Sequence, residues 1–346
     1  MSAPTVSETQ PSTSFFNRLG LKPRLIATLV FASLLAAVLV GGSTLYIAEK
    51  NMKEAAEDNV AEAAAASSRS LQQYIDLTLG DLTYMAEQVQ IQNDVQVMSQ
   101  AYQNVGGESL QRIFIHENPN PSGEKHLMHD AKGVTGEHVT YNVAHRRTHR
   151  SLVTVMEERG YYDIFLIDAQ GNIVYSVFKE LDYATNLVNG EYSSSGLGTA
   201  FRSAIGAPAG QHTAVDFEPY SPSAGAPAAF FAIPIYAEGL FGAEAERIGV
   251  VAIQVPVDRL TAATTRGVED AETMSFIVGT DGTLRSEVEA TEGSDVLSAS
   301  FDASGISAGE GAVHVPDLLG RQSIVAAQSL SFLGIEWMVV SSVTEH

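Results

Sequence analysis

Histidines spaced along one helix face are the residues of this chain best suited to metal chemistry. Within a helix predicted over residues 137–159, His145 and His149 are four residues apart, and Tyr141 and His138 precede them on the same face. An HxxxH pair on a helix can share a metal ion, and catalytic sites of this type place a glutamate between the two histidines. The intervening residues here include two arginines and no glutamate. We therefore interpret the histidines as a structural helix face, with a metal-dependent enzyme as an alternative hypothesis.

Other common signatures of catalysis and cofactor binding are missing from the sequence. No GxxxxGK[ST], GxSxG or GxGxxG motif stands in a suitable context, and there is no cysteine. The turns at 168–172 and 280–282 lack the ligand spacing of a calcium loop. Forty-one acidic residues against twenty basic ones give a formal charge of −21, which repels phosphate backbones. The sequence predicts no catalytic residue, no cofactor, no metal site and no nucleic-acid partner.

An uncharged segment near the N-terminus is long enough to cross a membrane. Residues 25–47 read LIATLVFASLLAAVLVGGSTLYI, and about 20 apolar residues span a hydrocarbon core of roughly 30 Å. Basic residues crowd its N-terminal side, whereas the far flank mixes both charges, so the positive-inside tendency orients the segment. We predict a single-pass inner-membrane protein, with residues 1–24 as a disordered cytoplasmic tail and residues 48–346 in the periplasm.

A proline-free segment follows the membrane segment. Residues 48–103 contain one glycine, Gly80, and repeat apolar residues at spacings of three and four, the period of one helix stripe. A helix of this length needs a packing partner, either a second copy of itself or the domains that follow. We predict a long helix over residues 48–103 and a homodimer formed through the region 71–98.

Two copies of a hairpin followed by three strands make up the remainder of the chain. The glycines Gly171 and Gly282 mark the equivalent hairpin turns, 111 residues apart. The predicted strands are 164–168, 173–177, 214–220, 228–236 and 247–257 in the first copy, and 275–278, 283–287, 312–318, 322–330 and 335–343 in the second. Each copy should close as a five-stranded antiparallel sheet with helices on one face, so we predict an α+β fold.

Four segments within these copies carry a resemblance to a known sensor module. They read YYDIFLIDAQGNIVYSVFKELDYATNL (161–187), DFEPYSPSAGAPAAFFAIPI (216–235), GVVAIQVPVDRL (249–260) and SFIVGTDGTLRSE (275–287). With these motifs, the chain resembles the double Cache, PAS-like extracytoplasmic sensor domain of bacterial methyl-accepting chemotaxis receptors. The resemblance implies a membrane-distal Cache module over residues 104–260 and a membrane-proximal one over residues 261–346.

The resemblance also implies a ligand pocket in the distal module, between the sheet and the segment that joins its second and third strands. On this basis ten residues are predicted to bind the ligand: Tyr162, Tyr175, Lys179, Asp182, Thr185, Asn186, Asp216, Tyr220, Ser221 and Phe230. Their charges and amides suit a small polar molecule, and their aromatic rings suit an apolar wall. In the alternative interpretation, Lys179 pairs with Asp182, and Thr185 with Asn186 caps a helix.

The function implied by the resemblance is ligand sensing, not catalysis. The arginine–tryptophan pattern with which some double Cache receptors bind amino acids is absent, so we expect an organic acid or an amine instead. Similar ectodomains occur on histidine kinases and cyclases, and these outputs remain alternatives. No second span, HAMP-like linker or cytoplasmic signalling module follows, so we interpret the sequence as part of a longer receptor; a binding module without output is a third hypothesis. The single tryptophan, Trp337, lies in the last strand and is expected in the core.

Overall fold

The computed structural model describes residues 20–237, 245–266, 268, 272–288 and 295–345. The chain divides into two compact units, residues 1–56 and residues 57–346. The first unit contains the start of helix α1 (Leu21–Glu87). All strands of the described residues, and all their helices after α1, lie in the second unit.

Helix α1 includes the predicted membrane segment. Among the helices of the described residues, α1 is the one that is long and apolar enough to cross a membrane. Large apolar side chains between residues 25 and 47, such as Leu29, Phe31 and Leu39, are more than half exposed. Exposed side chains of this kind are unfavourable in water and favourable in a lipid bilayer.

The long helix predicted over residues 48–103 is interrupted once. Helix α1 ends at Glu87 and helix α2 spans Val89–Val105, because Gln88 between them has extended backbone angles, φ −69° and ψ 116°. Neither proline nor glycine marks this break, so the apolar period alone could not reveal it. The apolar stripe of both helices finds its packing partner within the chain, where residues such as Leu71 and Met98 are fully buried.

The other helices are short apart from α4. They are α3 (Gly107–Gln111), α4 (Glu137–Arg159), α5 (Gly196–Gly206) and α6 (Val257–Thr265), with a π-helical turn at Arg112–His116 and 3-10 turns at Lys125–Leu127 and Ser221–Ser223. The predicted helix over residues 137–159 coincides with α4. Ser195 precedes helix α5 as its N-cap: its hydroxyl accepts a hydrogen bond from the amide of Gly198 in the first turn.

The first sheet contains the five predicted strands. They are β1 (Asp163–Asp168), β2 (Ile173–Ser176), β3 (Thr213–Tyr220), β4 (Ala226–Ala237) and β5 (Glu246–Val255), in the spatial order β2-β1-β5-β4-β3 with all pairs antiparallel. Alternate side chains fill two cores: Leu166 and Ile253 face α1, α2 and α4, whereas Phe165 and Ala252 face α5. The predicted α+β class is confirmed, but helices cover both faces of this sheet, not one.

The second sheet contains four strands among the described residues, not the predicted five. They are β6 (Met274–Gly279), β7 (Val313–Pro316), β8 (Gln322–Phe332) and β9 (Ile335–Thr344), in the order β6-β9-β8-β7. The predicted strand 283–287 makes only isolated bridges. A side chain takes the place of the backbone in this segment. The amide of Ile277 donates to the hydroxyl of Ser286, and in a regular strand pair it would donate to a backbone carbonyl.

A substitution at Gly249 tests how closely strands β1 and β5 approach each other. A Cβ at this position would collide with the carbonyl oxygen of Ile167, a ladder atom with little freedom to move. We expect Gly249→Ala to lower the free energy of unfolding by about 2 kcal/mol, measured on the full chain by denaturation followed with circular dichroism. Gly206→Ala is the matched control, since the space beside Gly206 is open and alanine favours a helix. Equal stability of the two variants would contradict this packing.

Candidate ligand-binding site

A row of side chains crosses one end of the first sheet, on the face covered by α5. Asp163 of β1 lies opposite Gln254 of β5, and Gln254 lies opposite Phe230 of β4. Directly opposed residues of antiparallel strands project from the same face. Asp163 and Gln254 are both buried, at 0% and 2% exposure. Two polar side chains therefore stand inside an otherwise apolar core.

The segment that follows β2 adds two carboxyl groups to this row. Lys179 and Ala184 both have φ 58°, in the left-handed region that residues other than glycine rarely adopt. Between these two strained residues, Asp182 accepts a hydrogen bond from the hydroxyl of Tyr220. Glu180 accepts hydrogen bonds from the hydroxyls of Tyr162 (2.8 Å) and Ser223 (2.6 Å). We call Asp163, Glu180, Asp182, Tyr220 and Gln254 the acidic cluster.

Three oxygen atoms of the acidic cluster are buried and accept no hydrogen bond. They are Asp163 Oδ2, Asp182 Oδ1 and Gln254 Oε1. The second oxygen of Asp163 is well satisfied, since it accepts from the backbone amides of Ile164 and Val177. A buried polar atom without a partner costs about 1–3 kcal/mol. When Asp163 and Asp182 are ionised all three atoms are acceptors, so the group that matches them is a hydrogen-bond donor.

The carboxyl groups of the acidic cluster titrate abnormally. Burial raises the pKa of Asp182 to about 7, with Tyr220 opposing the rise and Glu180 adding to it. Burial, together with the neighbouring Asp182, raises the pKa of Asp163 well above its usual range. Burial also raises the pKa of Glu180. Burial thus favours the neutral form of these carboxyl groups, and a nearby positive charge would favour the ionised form.

Two of the predicted ligand residues lie on the opposite face, beside α4. The hydroxyl of Tyr175 lies 2.8 Å from His149 Nδ1. Lys179 Nζ donates to Val177 O at 3.1 Å and lies 3.4 Å from the same histidine nitrogen. Burial lowers the pKa of Lys179 to about 7, with Asp163 opposing the shift. Lys179 therefore does not pair with Asp182, and the alternative interpretation of these two residues is not supported.

His145 and His149 of α4 are stacked with nearly parallel rings, so their nitrogen lone pairs do not point at a common metal position. The rings of His145 and His149 stack with centroids 4.8 Å apart and planes 21° apart. His149 Nε2 lies 2.6 Å from the carbonyl of His126, so both of its nitrogens have partners. Burial, with Lys179 nearby, lowers the pKa of His149 to about 2. The part of the chain that the structure describes contains no cluster of three potential metal ligands.

The structure separates the other predicted ligand residues. Thr185 and Asn186 stabilise the turn after Asp182: the Thr185 hydroxyl donates to Asp182 O at 2.6 Å, and Asn186 Oδ1 accepts from two following amides. Ser221 is exposed, and Asp216 points toward the second sheet, where it pairs with Arg285. Of the ten predicted residues, those gathered at the acidic cluster are Tyr162, Asp182, Tyr220 and Phe230.

Sequence reasoning missed three members of the acidic cluster. Asp163 and Gln254 each stand alone in an apolar run, YYDIFLI and GVVAIQVPV. A single polar residue in a strand buried on both faces is itself a signal, since its side chain must find a partner in the interior. Glu180 lies in the predicted bridging segment, but that segment has no regular period from which its orientation could be inferred.

A recess with a volume of about 550 Å³ opens in the region of the second sheet, away from the acidic cluster. Its lining includes Asp281, Asp302, Glu336 and Trp337. Each carboxylate already accepts a hydrogen bond from the chain itself: Asp281 from Thr283, Asp302 from Ser304 and Glu336 from Ser331. These carboxylates therefore differ from the acidic cluster, in which buried oxygen atoms are left without donors.

The abnormal pKa of Asp182 predicts how its neutral isostere changes stability. A folded-state pKa of about 7, above the usual value of 3.8, stabilises the fold below about pH 4, and this contribution is lost as the pH rises through 7. We expect Asp182→Asn to raise the melting temperature of the ligand-free full chain at pH 8 by at least about 2 °C, with a smaller effect at pH 5. Exposed Glu191→Gln is the control and should change neither value. A destabilised Asp182→Asn protein at pH 8 would refute the inference.

Comparisons with known proteins identify the family. The model of the Cache domain family matches residues 48–346. Similar solved structures include the ligand-binding domain of the Pseudomonas aeruginosa PAO1 amino acid chemoreceptor PctC in complex with GABA, at 13% identity over 83% of this chain and 99% of that one, with a TM-score of 0.46. Another is the sensor domain of the Vibrio cholerae histidine kinase DctB, at 15% identity over 73% of this chain and 97% of that one, with a TM-score of 0.37. The search of curated proteins finds no match. Because the family model covers most of its length, this chain belongs to the Cache domain family, as the sequence motifs predicted.

Proposed function

We propose that this chain is the extracytoplasmic, ligand-sensing part of a transmembrane receptor, and that the acidic cluster binds a small molecule through an ammonium group. The three unpaired acceptors of the cluster are the observation that carries the proposal. Membership of the Cache domain family supports a sensing role over a catalytic one. A chemotaxis receptor is the output we favour, with a histidine kinase or cyclase as the alternative.

An ammonium group matches the acidic cluster in both hydrogen bonding and charge. It carries three donors and no acceptor, which corresponds to the unpaired oxygens of Asp163, Asp182 and Gln254. Its charge compensates carboxyl groups that burial otherwise keeps protonated. Phe230 and Tyr220, whose rings lie 5.0 Å apart, add apolar surface on which a cation is also favourable.

An organic acid, the other ligand class that the sequence left open, fits the acidic cluster poorly. Its carboxylate would meet the carboxyl groups of Asp163, Glu180 and Asp182. The nearest buried cation, Lys179, directs its amine to Val177 O and His149 on the opposite face. A buried anion without a donor or a counter-charge is strongly unfavourable. The amine is therefore the class that we propose.

Binding of an amine should be coupled to proton release. An ammonium beside Asp182 favours the ionised carboxylate and so lowers a pKa that stands at about 7 in the empty site. Affinity should then increase from pH 6 to pH 8, a range in which a primary amine keeps its own charge. Transmission to the membrane requires that the amine binds one of two conformations of the domain more tightly.

A thermal-shift experiment on the full chain in lipid nanodiscs tests the ligand class. We expect 1,4-diaminobutane to raise the melting temperature and the uncharged analogue 1,4-butanediol to have no effect. At one hundred times Kd the stabilisation is about 2.7 kcal/mol. The shift should be larger at pH 8 than at pH 6, and should be lost in Asp182→Asn and retained in Glu191→Gln. Stabilisation by succinate, and not by amines, would overturn the amine proposal.

Cysteine labelling tests the membrane orientation, because the natural chain has no cysteine. We expect a membrane-impermeant maleimide to label the exposed variant Ser307→Cys in cells with a permeabilised outer membrane. The variant Ser7→Cys, on the N-terminal side of the span, should be labelled only after the inner membrane is disrupted. Labelling of Ser7→Cys alone in intact cells would reverse the topology, and equal labelling of both variants would exclude a membrane span between them.

A further inference from the structure

Strand β3 takes part in both the acidic cluster and the contact with the second sheet. Its last residue, Tyr220, is fully buried and donates a hydrogen bond to Asp182. Asp216, four residues earlier in the same strand, contacts residues of the second sheet region. At about 3.3 Å per residue, the two positions are roughly 13 Å apart along one continuous strand.

A bulge in β3 directs Asp216 away from its own sheet. Val215 pairs with Phe230 and Glu218 pairs with Ala228, so three steps along β3 match only two along β4. The extra residue leaves Asp216 and Phe217 outside the ladder. Bulges of this kind change the direction of a side chain and are common beside functional sites. The bulge thus allows a residue of the first sheet to pair with the second sheet region.

The carboxylate of Asp216 binds two residues of the second sheet region. Arg285 donates to it from Nε at 3.0 Å and from Nη2 at 2.9 Å, and this arginine is only 4% exposed. Trp337 of β9 donates from Nε1 at 3.0 Å. Forked bonds between a guanidinium and a carboxylate fix orientation as well as distance. We call Asp216, Arg285 and Trp337 the joint.

Aromatic rings surround the joint and exclude water from one side of it. The rings of Phe217 and Trp337 stack with centroids 6.3 Å apart, and Phe332 packs edge-on to Trp337 at 4.9 Å. Phe231 of β4 contacts Phe332 at 5.7 Å. Packed aromatic contacts of this type have few alternative arrangements. A displacement of β3 therefore changes the surroundings of Trp337.

We propose that β3 transmits occupancy of the acidic cluster to the second sheet, with Tyr220 as the input and the joint as the output. The proposal rests on the proposed function, since it takes the acidic cluster as the ligand site. A ligand ammonium that binds the free Oδ1 of Asp182 draws this carboxylate toward itself, and Tyr220, which donates to its Oδ2, follows and shifts the end of β3. The bulge passes this shift to Asp216, and Arg285 and Trp337 follow the carboxylate that holds them.

The single tryptophan makes the proposal measurable without a label, because all tryptophan emission comes from Trp337. In the ligand-free full chain we expect Tyr220→Phe to shift this emission. Tyr236→Phe is the control: Tyr236 lies on β4, and its hydroxyl is hydrogen-bonded to Ala207 O and Arg247. This variant should leave the emission unchanged. In an Asp216→Asn background, Tyr220→Phe should cause no shift. An unchanged emission in Tyr220→Phe, or the same shift with and without Asp216, would overturn the proposal.

A second arm separates this proposal from the ligand assignment. Calorimetry and tryptophan emission are recorded together while 1,4-diaminobutane is added to the wild-type chain and to Asp216→Asn. We expect both proteins to bind the diamine and only the wild type to change its emission. Binding without an emission change in the wild type would refute transmission through the joint and leave the proposed function intact. If the diamine does not bind, the amine proposal fails. The emission of the ligand-free variants then decides alone whether β3 couples Tyr220 to Trp337. If Tyr220→Phe does not fold, Asp182→Ala replaces it, since it removes the acceptor of the same hydrogen bond.

Discussion

Burial of carboxyl groups with too few donors is the constraint on which the rest of this structure depends. Asp163 and Asp182 are fully buried, and each leaves one oxygen without a hydrogen bond. Stability alone would favour apolar residues or a fully bonded pair at such positions. The first sheet tolerates the cost because apolar cores cover both of its faces. Packing energy from those cores thus maintains buried acceptor oxygens that the chain itself leaves without donors.

The first sheet also keeps opposite charges apart. Lys179 and Asp182 are three residues apart in sequence, yet Lys179 contacts His149 on the α4 face and Asp182 contacts Tyr220 on the α5 face. The left-handed conformation of Lys179 turns the chain at the edge of the sheet and makes this division possible. An intramolecular ion pair would have satisfied both residues and closed the site. Separation leaves the carboxyl group of Asp182 without a lysine partner.

The strands could be predicted from sequence because each is an apolar run bounded by turn residues. Gly171 and Gly282, predicted as equivalent turns, have φ values of 85° and 79°, a conformation that glycine adopts most easily. Prediction was weaker where side-chain bonds or a local break direct the backbone, as at Gln88. The resemblance directed the prediction to the bridging segment, but an irregular segment has no period to show which of its side chains are buried against the sheet. Asp163 and Gln254 escape prediction because each is an isolated polar residue within an apolar strand and belongs to no polar cluster of the sequence.

The distribution of the site between a loop and a strand has an evolutionary consequence. Glu180 and Asp182 stand on an irregular loop, whereas Tyr220 and Asp216 share one paired strand. Loops accept substitution and insertion far more readily than strands that are bonded on a sheet. The loop residues of the acidic cluster can therefore diverge among descendants of this gene, while the strand that carries Tyr220 and Asp216 is retained.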